Sequence, residues 1–191
     1  MSADTIGNLG DIPDLSGIAA QDATSEPWAD GWYEGTIMEE RRFTDSNGSE
    51  RVFESGDTPS QAGDSRNIKL QVIVKRQLDG RALNTSAQVN YRPEDLTQET
   101  IQAVVKRQEE AGPGEQLGDL FRPFMTLTRL ARLQKIAGVR QFQRNGNGGL
   151  DLAALYGKKA YFRLGDDPRT GGKYKEIKDL RFDTPKRAKI L

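Results

Sequence analysis

The sequence predicts a mainly β protein with helices, an α+β fold of five strands in which the helices fall between the third and the fourth. Three observations carry that prediction. The stretch 157–182 alternates on both sides of a loop rich in turn residues (Asp166, Asp167, Pro168, Gly171, Gly172), the pattern of a β-hairpin. Residues 32–43, 67–75 and 81–91 alternate in the same way upstream. Between the two groups lie two stretches with apolar residues three or four apart, each bounded by Gly or Pro.

In chain order, residues 1–30 hold scattered apolar residues (Ile6, Leu9, Ile12, Leu15, Ile18) with no sustained period, and read as a flexible arm. At 32–43, Tyr33, Gly35 and Ile37 share one face, Arg41 and Phe43 continue it, and Trp28 and Trp32 stand at the entry. Residues 44–66 are a long polar segment with no period beyond 51–54; such loops in compact domains are usually functional or disordered. Folded over a sheet, this one would bring Arg51, Phe53 and Arg66 down as a clamp. In 67–75, Ile68, Leu70, Val72 and Val74 point one way, and Asn67, Lys69, Gln71, Ile73 and Lys75 the other. Asp79-Gly80 marks a tight turn flanked by Arg76 and Arg81. Residues 81–91 return with Leu83, Thr85, Ala87, Val89 and Tyr91 inward, and Asn84, Ser86, Gln88 and Asn90 outward.

Pro93 ends the strand run, and Thr97 can cap a helix to residue 110 with Ile101, Val104 and Val105 as its stripe. A second helix, 119–137, carries Leu120, Phe124, Leu127, Leu130 or Ala131, and Ile136, and stops at Gly138. The NGNGG run at 145–149 lacks the spacing of a phosphate-binding glycine loop and reads as a turn. Residues 150–156 make a short helix. In the closing hairpin Ala160, Phe162 and Leu164 face inward while Lys159, Tyr161 and Arg163 face out. One folded domain therefore spans 31–183, between an acidic arm (1–30) and a short basic tail (184–191).

Composition excludes several kinds of chemistry. With no Cys and no His, the chain lacks disulfides, thiol catalysis, cysteine-ligated zinc, and the commonest general base and metal ligand. That argues against an enzyme and against a resident cofactor. The remaining catalytic alternative is a Mg²⁺ nuclease using Asp57, Asp64, Asp166 and Asp167, but all four stand in turn contexts where Asp is expected anyway. No apolar run approaches the roughly 20 residues of a membrane helix, and the start lacks the basic residues of a secretory leader, so a cytoplasmic protein is expected. The formal net charge of zero hides a segregation. Residues 1–40 hold nine acids and no base, leaving all 28 bases against 19 acids in the rest, a body of +9.

The order of three strands, helices and two strands is that of a five-stranded Greek-key barrel of the OB type. In such barrels strands two and three, with the loops joining strands one to two and four to five, bind oligonucleotides or oligosaccharides. The pieces Trp32-Tyr33-Glu34-Gly35, Asn90-Tyr91-Arg92-Pro93, Gln134-Lys135-Ile136-Ala137-Gly138-Val139, Leu155-Tyr156-Gly157-Lys158-Lys159 and Tyr174-Lys175-Glu176-Ile177 resemble phage-encoded single-stranded DNA-binding proteins of the OB type, over about residues 28–184. The resemblance implies an accessory protein of DNA replication or recombination in the host cytoplasm, coating transient single strands and meeting replication or recombination proteins; it admits a homo-oligomer. Such proteins often end in an acidic tail, whereas this C-terminus is basic and the acidic arm is N-terminal. That arm is expected to compete with DNA for the basic face.

A sequence-tolerant binder needs cations to track phosphates and aromatic faces to stack bases. The candidate stackers are Phe53, Tyr161 and Tyr174. The candidate phosphate contacts are Lys69, Lys75, Arg76, Arg81, Lys159, Arg163, Arg169 and Lys173. The alternative reading is an OB-like structural or protein-interaction module that binds no nucleic acid.

Overall fold

A computed structural model describes residues 28–61, 63–110, 117–171, 174–185 and 190–191. The acidic arm, bar its last three residues, and the basic side chains Lys186, Arg187 and Lys189 of the tail lie outside that set.

The alternating stretches form a six-stranded antiparallel sheet. At its centre, β1 (Gly31–Met38) pairs along one edge with β5 (Arg66–Lys75) and along the other with β7 (Lys159–Asp166). β6 (Ala82–Tyr91) covers the whole length of β5, and β8 (Lys175–Arg181) pairs with β7. β8 also comes alongside β6, although no ladder of hydrogen bonds joins the two among the described residues. The expected inward sets hold: Tyr33, Ile37, Ile68, Leu70, Val72, Val74, Phe162 and Leu164 are almost fully buried in one core.

Residues 32–43 do not form one strand. The chain leaves the sheet at Glu39 and runs out as a separate two-stranded hairpin, β2 (Glu40–Thr44) and β3 (Glu50–Glu54). It returns as β4 (Gly56–Pro59), which pairs with residues 66–69 of β5 while β1 pairs with residues 71–75. Both pairings are antiparallel and β6 occupies the opposite edge, so β1 and β4 lie in line as one interrupted strand. The predicted loop at 44–66 thus holds two strands, β3 and β4, and the ends of two more, and Arg41 and Phe43 belong to the hairpin, not to the buried face of β1. Where five strands are expected, the described residues form eight.

Helices connect β6 to β7, as expected: α1 (Gln98–Glu110) and α2 (Phe121–Ala137). Thr97 caps α1, its Oγ1 accepting from the Thr100 amide at 3.3 Å. Gly138 stops α2 in the left-handed region (φ 73°), where its amide reaches the Gln134 and Lys135 carbonyls. The buried stripe of α2 is Thr126, Leu130, Leu133 and Ile136, because α2 lies on β6 and β8. Phe124 and Leu127 instead line a groove against Ile101 and Val105 of α1. Residues 153–155 form a single turn of 3₁₀ helix where a short helix was expected.

Two buried arrangements hold the ends together. Asp57 of β4, its side chain wholly buried, accepts from Arg66 Nε (2.9 Å), from the Tyr91 hydroxyl and from the Leu150 amide (2.7 Å). That pins the 145–149 turn, closed by Asn145 Oδ1 on the amides of Asn147 and Gly149, to the sheet. Burial, and then the neighbouring Asp57, push the Tyr91 hydroxyl well above its usual pKa. At the other end Trp28 packs on Tyr33 with ring centroids 5.1 Å apart, and the Leu191 amide donates to the Trp32 carbonyl.

Gly35 sits where β1 passes under Phe162 and Val74: a Cβ there would come within 2.8 Å of the Phe162 ring and 2.9 Å of Val74. Gly35→Ala should therefore destabilise the domain by about 1–3 kcal/mol through overpacking. A urea midpoint equal to that of the wild type would show that the two side chains can step aside.

Candidate nucleic-acid interface

Cross-strand register fixes what the outer face of the sheet presents. One row runs Ala82, Lys75, Glu34, Tyr161, Arg181; the next Asn84, Ile73, Thr36, Lys159; then Ser86, Gln71, Met38; then Gln88, Lys69, Gly56. Trp32 stands opposite Arg163. The face therefore mixes amides, hydroxyls and cations with aromatic rings, because most outward positions of β5, β6 and β7 are polar, Ile73 and Ala82 being the apolar exceptions.

Aromatic groups gather at two places on it. On the β2–β3 hairpin, Phe43 and Phe53 stack with centroids 5.3 Å apart and planes 3° from parallel. Arg41 lies 5.0 Å over the Phe53 ring and Lys69 of β5 lies 5.2 Å from the same ring, so cations flank the stack. Phe43 is 41% exposed. On β7 and β8, Arg181 lies 5.3 Å over Trp32, while the Tyr161 hydroxyl accepts from Thr184 Oγ1 at 3.0 Å.

The expected contacts fare unequally. Lys75, Arg81 and Arg163 are exposed and make no ion pair with any described residue. Lys159 pairs with Glu34 at 3.0 Å, an exposed contact that solvent screens and that contributes little. Arg169 forks onto Asp167 at the tip of the closing hairpin, and its guanidinium holds that carboxyl below the usual range. Tyr174 is 58% exposed beside it. Lys173 lies outside the described residues.

Arg76 is a correction. It follows the inward parity of Val72 and Val74, is only 7% exposed, stacks 5.4 Å over Trp28 and is clamped by Asp79. That guanidinium draws the Asp79 carboxyl down to about 2. Arg66 likewise is consumed by Asp57, so it cannot join Phe53 as a clamp, and Arg51 is tied to Asp45 within the hairpin at 3.0 Å.

Reading the sequence missed Arg41, Phe43 and Arg181. The signal for the first two was present: Asn47-Gly48 between two short alternating runs is a hairpin turn, and Gly48 has φ 79°. The acids considered for a nuclease are dispersed. Asp57 is buried in its knot, Asp166 is held by Lys175 at 2.5 Å, and Asp167 by Arg169. Among the described residues no three of His, Cys, Asp or Glu stand together as a metal site, and no helix is long and apolar enough to cross a membrane.

No protein-family model, no curated protein and no solved structure matches the chain.

Proposed function

We propose that the protein is a sequence-tolerant single-stranded DNA-binding protein of the OB type, serving DNA replication or recombination. The observation that carries this is the outer sheet face, where Lys75 and Arg163, without an ion pair among the described residues, share one surface with the amides of β6 and the Phe43–Phe53 stack. Phosphates need the first and exposed bases the other two. The OB reading is supported by the strand order β6-β5-β1-β7-β8, by the approach of β6 to β8, and by helices bridging β6 to β7. In that scheme β1 with β4 is the first strand, β5 and β6 the second and third, and the β2–β3 hairpin an excursion from the first.

The expected result is strong preference for a single strand. In a fluorescence-anisotropy titration, labelled dT oligomers should bind far more tightly than a duplex of equal length, since a duplex hides its base faces. The logarithm of the association constant should fall with that of salt concentration by about 0.7 per phosphate neutralised. Equal affinity for duplex would remove the base-stacking platform from the reading, and a flat salt response would remove the cations.

A further inference from the structure

Four buried side-chain polar atoms among the described residues have no hydrogen-bond partner: Arg41 Nε, Asn67 Oδ1, and both Nε2 and Oε1 of Gln71. They share one neighbourhood. Asn67 and Gln71 flank Lys69 on the outer face of β5, and Lys69 and Arg41 both lie against the Phe53 ring. Gln71 is 1% exposed although its position in the register, between Met38 and Ser86, is on the solvent side of the sheet. The hairpin approaches this part of β5 through β3, whose Phe53 ring lies against Lys69, two residues from Gln71, and through Ser55, which follows β3 and bonds the Gln71 backbone.

A buried amide with neither group paired costs stability, and a methionine of similar length would fill the same space without that cost. A residue that opposes folding in this way marks a function. The amide offers one acceptor and one twin donor side by side. Every nucleobase presents an adjacent donor and acceptor on its Watson–Crick edge: N6 and N1 of adenine, N4 and N3 of cytosine, N1 and O6 of guanine, N3 and O4 of thymine. Turned over about its last torsion, a glutamine amide matches each of them. It therefore detects a base without selecting one.

We propose that Gln71 is a base-reading residue, covered by the β2–β3 hairpin in the free protein and paired with a nucleobase edge once a single strand lifts that hairpin. The proposal rests on the single-strand reading above. The hairpin is built to move as a unit. Its ion pairs, Arg42 with Glu40 and Glu50, and Arg51 with Asp45, are all internal among the described residues. Its two ends are fastened instead: the Ser55 backbone amide donates to the Glu39 carbonyl (2.7 Å), and Ser55 Oγ donates to the Met38 carbonyl (2.6 Å) and accepts from the Gln71 backbone N–H (2.7 Å). Lifting the hairpin about Glu39 and Ser55 would uncover Gln71 with the aromatic stack still whole beside it.

The test compares wild type with Gln71→Met on labelled dT oligomers and on an oligomer of the same length made of abasic residues. The variant should melt at a higher temperature than wild type, bind dT about tenfold more weakly, and bind the abasic strand equally well. Unchanged dT affinity in the variant, or the same loss on both strands, overturns the base-reading role. Failure of the wild type to bind dT at all overturns the single-strand reading, and this proposal with it. Gln71→Leu carries the same comparison should the methionine variant not fold. The chain has no cysteine, so thiols introduced at the exposed Asn47 and Asn90 can carry two spin labels. Their separation in the wild-type background should lengthen on adding dT, and an unchanged separation overturns the lifting.

Discussion

Asp57→Ala is expected to lower the unfolding free energy by about 3–5 kcal/mol, because it strands a buried guanidinium. The carboxylate is wholly buried, and Arg66, whose side chain is only 12% exposed, pairs with no other acid among the described residues. The same change leaves the Tyr91 hydroxyl and the Leu150 amide without their acceptor. In a chain of this size each kcal/mol corresponds to about 2–4 °C in Tm, so the loss is large on either scale. Asp57→Asn should fare little better, since its amide nitrogen turns a donor towards groups that are themselves donors. Urea unfolding of both variants checks this. A loss below about 1 kcal/mol in both, the level of an exposed pair, would mean that the knot is not what ties β4 to the 145–149 turn.

The double substitution Phe43→Ala, Phe53→Ala should weaken binding to dT about tenfold to a hundredfold, which corresponds to the 1–3 kcal/mol that one stacked base contributes. Neither ring is part of the main core, so Tm should move by only a few degrees. No charge is removed, and the salt dependence should keep its slope. That combination separates stacking from electrostatics. If affinity holds, the rings serve only to brace the hairpin; if the slope changes, the flanking Arg41 and Lys69 were the true contacts.

The strands that proved legible were those with one face in the core. β5 and β6 alternate because every second side chain faces the core, with only Gln71 and Ile73 of β5 out of pattern, and β7 does so between Ala160 and Leu164. β2 and β3 were illegible for the complementary reason. They are exposed or half-exposed along their whole length, so nothing imposes a period of two, and only the Asn47-Gly48 turn betrayed them. The expected site split along the same line. Lys75 and Arg163 were placed by strand parity and stand on the outer face, whereas Arg76 was counted by charge when its parity pointed inward. The Asp57–Arg66 pair could not be read at all, since it depends on β4 lying beside β5, and β4 has no pattern of its own.

Placing the hairpin inside an interrupted strand gives the molecule two separately variable parts. Because β1 and β4 are held in line by β5, residues 40–54 can change in length or composition without disturbing the register on either side. Mutation in the core is limited by packing on every side, whereas mutation in the hairpin is limited by its contact with Lys69 of β5 and by what it touches outside the domain. Reach and grip can thus evolve at one rate, and the scaffold beneath them at another.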